Sequence, residues 1–398
     1  MAQDLTHPTS SSPRSPSSLR KRARLEEDET QQSLKNARSK RPRSSTSTRL
    51  NRDESAHAFD KHYSNNGGDI FLKLPDGTLF MCHLEKLKTA GGLFGDVFAL
   101  PQPVESAEKI EGLPFCDIYQ TISPGEFRYV LDFIYGKLKL LRKLRGGRIS
   151  LHFNAAIALL KGAHLLNLPE MRQAALKALH LMFPCDSRDD RWPPAVHGID
   201  ISAELFRRLF PIQAVNVLTQ CEVPLFAPMA YYYASQLDID DILFGVQRPD
   251  GSTERLNDHD KSLVLKGREK LRVITKKFTH EWLTEHGNER GETEHAYHGC
   301  WMKTSPYTGQ TCFDFIQSIK RDWETSGFFN RTDCLNGLPK HALDILKKDV
   351  CSSCYDTYEP KIEQGVWDAW WELPGVYGLE SWETLSQRQK MLSEGWQE

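Results

Sequence analysis

Apolar and polar positions change period several times between Gly68 and Tyr135, and each change predicts an element. Ile70, Leu72 and Leu74 alternate with Phe71 and Lys73, Pro75-Asp76-Gly77 supplies turn chemistry, and Thr78 to Cys82 carries a second run. A β-hairpin is the economical reading. From His83 to Phe98 the spacing becomes helical, with Leu84, Leu87, Leu93, Phe94, Val97 and Phe98 as the apolar set and Gly91-Gly92 as a turn between two helices. Phe115 to Ile122 reads as a third strand. Ser123 then offers a cap, Pro124 the first helical position and Glu126 the third, a complete capping signature. Phe127, Val130, Leu131 and Ile134 follow at i, i+3, i+4 and i+7, which makes one buried stripe.

Helical spacing continues with Phe153, Ile157, Leu160 and Ala163, then after Pro169 with Met171, Ala175, Ala178, Leu179 and Met182. Cys185 to Pro194 reads as a linker. Beyond it, Leu205, Leu209 and Phe210 predict a helix ending at Pro211, and Val215 and Leu218 follow. Leu225, Met229, Ala230, Tyr233 and Leu237 form another stripe. A polar loop from Gln247 to Asp258 leads into a long helix carrying Leu263, Leu271, Ile274, Phe278 and Trp282. From Val366 onward Trp367, Trp370, Trp371, Tyr377 and Trp382 crowd together, as aromatic interface anchors or as a helix docked on its own domain.

At 398 residues the chain suits two or three domains. Its formal charge of −2 hides an asymmetry. Residues 1–52 hold 12 Lys/Arg against 5 Asp/Glu, and the remainder is net acidic. Residues 1–60 have too few large apolar side chains to offset the entropy of ordering, and predict a disordered basic tail. Within it Arg20, Lys21, Arg22 and Arg24 form one basic cluster, and Lys40, Arg41 and Arg43 another. Two such clusters on an extended chain fit an import receptor's acidic groove, which predicts a nuclear protein. The bland alternative is a solvated tail and a cytoplasmic one. The run Lys137 to Arg148 carries six positive charges and no acid, and reads first as a solvated basic face. Direct nucleic-acid binding would need a basic helix with base-reading contacts, whereas these charges lie on a tail and a loop. No apolar run is long enough to span a bilayer.

Nine cysteines without a secretory signal point to a reducing compartment. Cys351-Ser352-Ser353-Cys354 has the gap that lets two thiolates meet one tetrahedral metal, and Cys300 with Cys312 would complete a four-thiolate set. Cys334, His295 and His298 are further options. A structural zinc would staple a helical tail with a modest core; four ordinary thiols is the alternative. His280-Glu281 with His286 lacks the four-residue ligand spacing of a metalloprotease helix. No nucleophile elbow, phosphate loop or dinucleotide fingerprint occurs. The expectation is a non-enzymatic protein.

The order of elements from Asp69 to Tyr135 resembles the BTB/POZ domain. Asp69 before an apolar strand is similar to the family's strand start, Phe80 with His83 to its entry into the first helix, and Leu87, Phe94 and Val97-Phe98 to its helical pair. Phe127 to Tyr135-Gly136 is similar to its "F-x-x-L-x-x-Y-T-G" helix. Ala90-Gly91-Gly92 departs from the usual Ser-bearing turn, and Val97 replaces a Met. Val223-Pro224, Pro228 to Ser235 and the tryptophan-rich ending resemble the C-terminal half of BTB proteins from mushroom-forming fungi. The resemblance implies an α+β fold. A disordered tail (1–60) precedes a BTB/POZ domain of short strands and helical hairpins (61–184), and a mainly α-helical C-terminal domain (195–398) follows. It further implies protein–protein interaction through Asp69, His83, Leu87, Phe94, Phe98 and Tyr135, a homodimer, and either corepressor-type partners or a role as substrate adaptor of a cullin-type ubiquitin ligase.

Overall fold

The run Ile70 to Leu74 is apolar on both faces because the strand it forms is covered on both. The computed structural model describes residues 58–65, 67–100, 109–143, 149–185, 204–288 and 311–394. Of the basic tail expected over 1–60 only Ala58 to Asp60 are described, and these are ordered against β2 in place of the disorder expected of them; the linker after Cys185 lies outside the described residues. Strands β1 (Ile70–Lys73) and β2 (Leu79–Cys82) pair antiparallel, Ile70 opposite Cys82 and Lys73 opposite Leu79. Gly77 closes the turn at φ +85, and the Asp76 carboxylate accepts from the Thr78 amide at 3.0 Å. Leu72 faces the main core, while Phe71 joins a small cluster with Leu79 and Ile110 on the other face.

Chain 58–63 straps the outer edge of β2. The Leu79 amide donates to the Ala58 carbonyl (2.9 Å), the Asp60 amide to Leu79 (2.9 Å) and the Met81 amide to Tyr63 (2.7 Å). Asp60 is buried there against the Arg128 guanidinium, with Nη2 2.5 Å from its carboxylate. Burial pushes the Asp60 carboxyl up, but the Arg128 and His62 hydrogen bonds outweigh it and hold the group below the usual carboxylate range.

On the inner side of β1 lies β4 (Leu113–Asp117), parallel, with Leu72 opposite Cys116. Parallel neighbours need a crossover. Two short helices supply it, α1 (Leu84–Ala90) and α2 (Gly92–Ala99), broken at Gly91 where φ is +73. β3 (Lys109–Ile110) adds an antiparallel edge, and the sheet order is β2-β1-β4-β3. The strand expected through Ile122 stops at Asp117. Its partner β1 ends at Lys73, whose carbonyl takes the last amide, from Ile118, at 2.8 Å. Helix α3 (Pro124–Ile134) starts at the predicted capping box, Ser123 and Glu126 each accepting the other's backbone N–H.

The basic run enters a small hairpin, β5 (Leu141–Lys143) and β6 (Ile149–Leu151), with Leu141, Arg142 and Lys143 all exposed. α4 (Phe153–Leu166) and α5 (Pro169–Leu179) then form a helical hairpin. α4 is buried almost all round, and packs so close to α3 that a Cβ at Gly162 would lie 2.3 Å from Val130.

The rest is helical. α6 (Glu204–Gln220) runs straight through Pro211, where the sequence predicts a stop. Leu209, Phe210, Ile212, Ala214, Val215 and Leu218 are buried on both sides of the proline. Their combined burial exceeds the roughly 3 kcal/mol that an interior proline costs. A 3₁₀ turn (Pro224–Phe226) precedes α7 (Ala227–Ala234) and α8 (Ile239–Phe244). The loop expected from Gln247 contains a two-residue ladder, β7 (Val246–Gln247) with β8 (Thr253–Glu254). Long α9 (Asp258–Asn288) is followed by α10 (Cys312–Thr325), α11 (Lys340–Asp349), α12 (Ser352–Val376) and α13 (Trp382–Glu394).

One hydrophobic core runs from Tyr63 and Leu72 through Leu160 and Leu218 to Trp370 and Trp382. Phe153 meets Phe206 and Phe210 edge-on, and Arg172 donates to the Cys221 carbonyl at 2.9 Å, so residues before and after the linker share it. A second, smaller core lies under α10, α11 and the first half of α12: Phe315, Ile316, Ile319, Leu346, Val350 and Tyr358. The aromatic tail is docked. Trp382 stacks on Trp370 with centroids 4.6 Å apart and donates its indole N–H to the Trp370 carbonyl at 2.9 Å. Trp371 is the exposed member. Among the described residues no helix is long and apolar enough to cross a membrane.

Candidate functional site

Two constellations gather the residues singled out by the sequence. In the first, three polar positions of the N-terminal motif brace the start of α1. The Asp69 carboxylate accepts the Leu84 amide at 2.7 Å, satisfying an N–H that the helix itself cannot pair. His83 occupies the cap position, but its side chain makes no capping bond. Its amide donates to the Tyr135 hydroxyl at 2.8 Å, and that hydroxyl lies 2.9 Å from His83 Nδ1. Burial raises the Tyr135 phenol above its ordinary range, against the lowering pull of the His83 amide.

Next to it the Tyr63 hydroxyl donates to Asp132 Oδ1 at 2.7 Å; burial first and this carboxylate second push its titration far up. Lys137 Nζ sits 4.9 Å from the Tyr63 ring centre and 5.1 Å from that of Tyr135. With both phenols held protonated, this cluster ties α1 to the end of α3. Tyr63, Asp132 and Lys137 escaped the sequence reading because no local spacing links groups as far apart in the chain as Tyr63 and Asp132. Leu87, Phe94 and Phe98 point inward to the core. What the α1–α2 hairpin presents outward is different: Leu84, Leu93 and Val97 are half-buried, and Leu100 is 65% exposed.

The second constellation is made of sulfur. Cys312 is the first residue of α10, just after the Thr311 cap, and Cys351 is the cap of α12 in extended backbone (φ −70, ψ 157). Cys354 lies in the first turn of α12. Their three Sγ atoms all fall within 4.8 Å of one another. The Cys351 amide donates to Cys312 Sγ at 3.2 Å. Cys312 and Cys354 are buried and Cys351 is half-buried, so Cys351 is the side facing water. A tetrahedral zinc with bonds of about 2.3 Å separates its sulfurs by about 3.8 Å, a spacing inside the 4.8 Å that bounds the three here. The donor set is all thiol, which suits a soft or borderline cation. Negative charge gathered there faces the positive ends of two helices.

The chain matches no known family model, no curated protein and no solved structure.

None of the eight described cysteines is in a disulfide. Cys334 is wholly buried in the main core, away from the Cys312, Cys351 and Cys354 cluster, and burial drives its thiol far up. Cys300, His295 and His298, and the clusters Arg20, Lys21, Arg22, Arg24 and Lys40, Arg41, Arg43, lie outside the described residues.

Proposed function

We propose that this chain is a non-enzymatic protein–protein interaction protein, built on a BTB/POZ-like module that self-associates and recruits partners. The observation that carries the reading is the outer surface of the α1–α2 hairpin. The chain's own fold leaves Leu84, Leu93 and Val97 partly covered at the edge of the core, and Leu100, just after α2, largely exposed. A mixed four-stranded sheet flanked by helical hairpins, with Asp69, His83 and Tyr135 at one joint, supports the module. A second copy is the occupant such a surface takes in a symmetric dimer, where the same patch serves both partners. The test is sedimentation of the full chain beside Leu100→Glu. The wild type should run as a dimer and the variant as a monomer with an unchanged melting curve; an unchanged mass removes the assignment of this face. Nuclear import by the two basic clusters belongs to the same proposal, and a reporter fused to residues 1–60 that stays cytoplasmic refutes it.

A structural zinc held by Cys312, Cys351 and Cys354 is the second part. The mutual approach of three sulfurs at two helix N-termini supports it, and so does the smallness of the core beside them. The chain purified under reducing conditions should carry one zinc by elemental analysis.

A further inference from the structure

The three thiols differ in position, and the difference suggests more than a staple. Cys312 comes from another helix and is 1% exposed; Cys354 is inside α12 and 5% exposed. Cys351 alone is reached by water, lies just outside the helix in extended backbone, and is joined to Cys354 by a single turn. Cys351 can therefore move without unwinding α12, and its nearest covalent partner is fixed three residues away. A disulfide needs a sulfur–sulfur bond of about 2.05 Å. Reaching it from within 4.8 Å asks only the cap to rotate.

We propose that Cys351 and Cys354 form a peroxide-responsive latch on this site, in which their oxidation to a disulfide discharges the metal and loosens the helices around it. The proposal rests on the zinc reading. The co-reactant is hydrogen peroxide. The Cys351 thiolate attacks one peroxide oxygen, the O–O bond breaks, hydroxide leaves and a sulfenic acid forms. The Cys354 thiolate then attacks that sulfur, the S–S bond forms and a second hydroxide leaves. Two electrons pass from the sulfurs to the peroxide, and the hydroxides end as water. Only Cys312 then remains of the ligand trio, and one thiolate does not retain zinc.

The local core registers the loss. Phe315, Ile316, Leu346, Val350 and Tyr358 pack around the sulfurs in a cluster separate from the main core. Residues 312–325 and 340–362 should therefore open first, while the sheet and α4–α5 stay folded.

The test uses the full chain, purified reduced and loaded with zinc. Hydrogen peroxide is added in the presence of a chromogenic zinc chelator, followed by tryptic mapping and limited proteolysis. The fragment between Lys348 and Lys361 holds both cysteines. It should become lighter by two hydrogen atoms in step with release of one zinc per chain, while Cys312 becomes open to alkylation and cleavage within 312–325 and 340–362 accelerates at least tenfold. Dithiothreitol with added zinc should restore the starting state. Zinc that stays bound, or leaves without that disulfide, overturns the latch and leaves the metal site standing. A chain that neither carries nor takes up zinc overturns the metal reading, and the latch with it. Cys354→Ser serves as a companion: peroxide should stop at Cys351 and yield no lighter fragment, and a disulfide from Cys351 to any other cysteine in the wild type is equally fatal to the pairing.

Discussion

Replacing Trp382 with alanine separates a docked C-terminal helix from an interface anchor. A Trp side chain removes roughly 200 Å² from water, worth about 5 kcal/mol at about 25 cal/mol per Å². Extended-chain areas overstate the true change. Large-to-alanine changes in cores cost about 3–5 kcal/mol, and the lower half of that range is expected here. Trp382→Phe divides the effect. It keeps most of the stack on Trp370 but loses the indole N–H donated to the Trp370 carbonyl. That loss should cost about 1–2 kcal/mol, because a buried carbonyl loses its partner. Urea unfolding followed by far-ultraviolet circular dichroism measures both, with an unchanged slope showing that the compared states are the same. Hydrogen exchange over Trp382–Glu394 shows whether α13 detaches ahead of the rest. A cost below about 1 kcal/mol for the alanine variant, with exchange protection unaltered, refutes the reasoning.

Gly92→Ala should be severely destabilising, by more than about 2 kcal/mol, since its Cβ would lie 2.1 Å from the Asn167 carbonyl at a φ of +55. Gly77→Ala, at a φ of +85 but with open space around it, should cost only about 1–2 kcal/mol; comparable melting shifts would contradict the close approach of α2 to the α4–α5 turn. Burial alone would raise the Glu126 carboxyl, yet the Ser123 amide and the Lys161 ammonium, 3.1 Å away, hold it below its ordinary value. Its contribution to stability is therefore present above the ordinary glutamate range and lost as pH falls through the lowered value. Glu126→Gln should flatten the acid limb of the urea midpoint from the ordinary glutamate range downward, and an unchanged limb would exclude that linkage. Tyr135→Phe strands the His83 amide and should cost about 1–3 kcal/mol, read in the same urea titration, with no effect expected if the brace is idle.

Local chemistry carried the parts of the fold that the sequence could disclose. The capping box at Ser123, the turn at Pro75-Asp76-Gly77 and the break at Gly91 are rules about neighbouring residues, and all three stand where the spacing placed them. The Cys351–Cys354 spacing marked two of the three thiols of the site, and Cys312 was within reach as a candidate. One proline misled. The helix expected to end at Pro211 runs through it, because burial of flanking apolar residues is a tertiary term that no local window contains. Strand β3 is too short to show alternation, and it exists through its pairing with β4. The brace of Tyr63, Asp132 and Lys137 was invisible for the same reason, since the sheet and α3 must assemble before those groups meet.

The strap over β2 has a consequence for any shortened form of this protein. Ala58, Asp60 and Tyr63 satisfy the outward-facing amides and carbonyls of a strand that would otherwise end the sheet. A chain beginning at residue 64 would present Leu79 to Cys82 as a bare, apolar template for a strand of another molecule. It would also strip Arg128 of its buried counter-ion. Such a fragment should precipitate or form irregular multimers through strand addition. Those multimers would imitate self-association in a sizing experiment while owing nothing to the α1–α2 hairpin. A fragment that keeps residues upstream of Ala58 is therefore the one on which dimerisation is fairly judged.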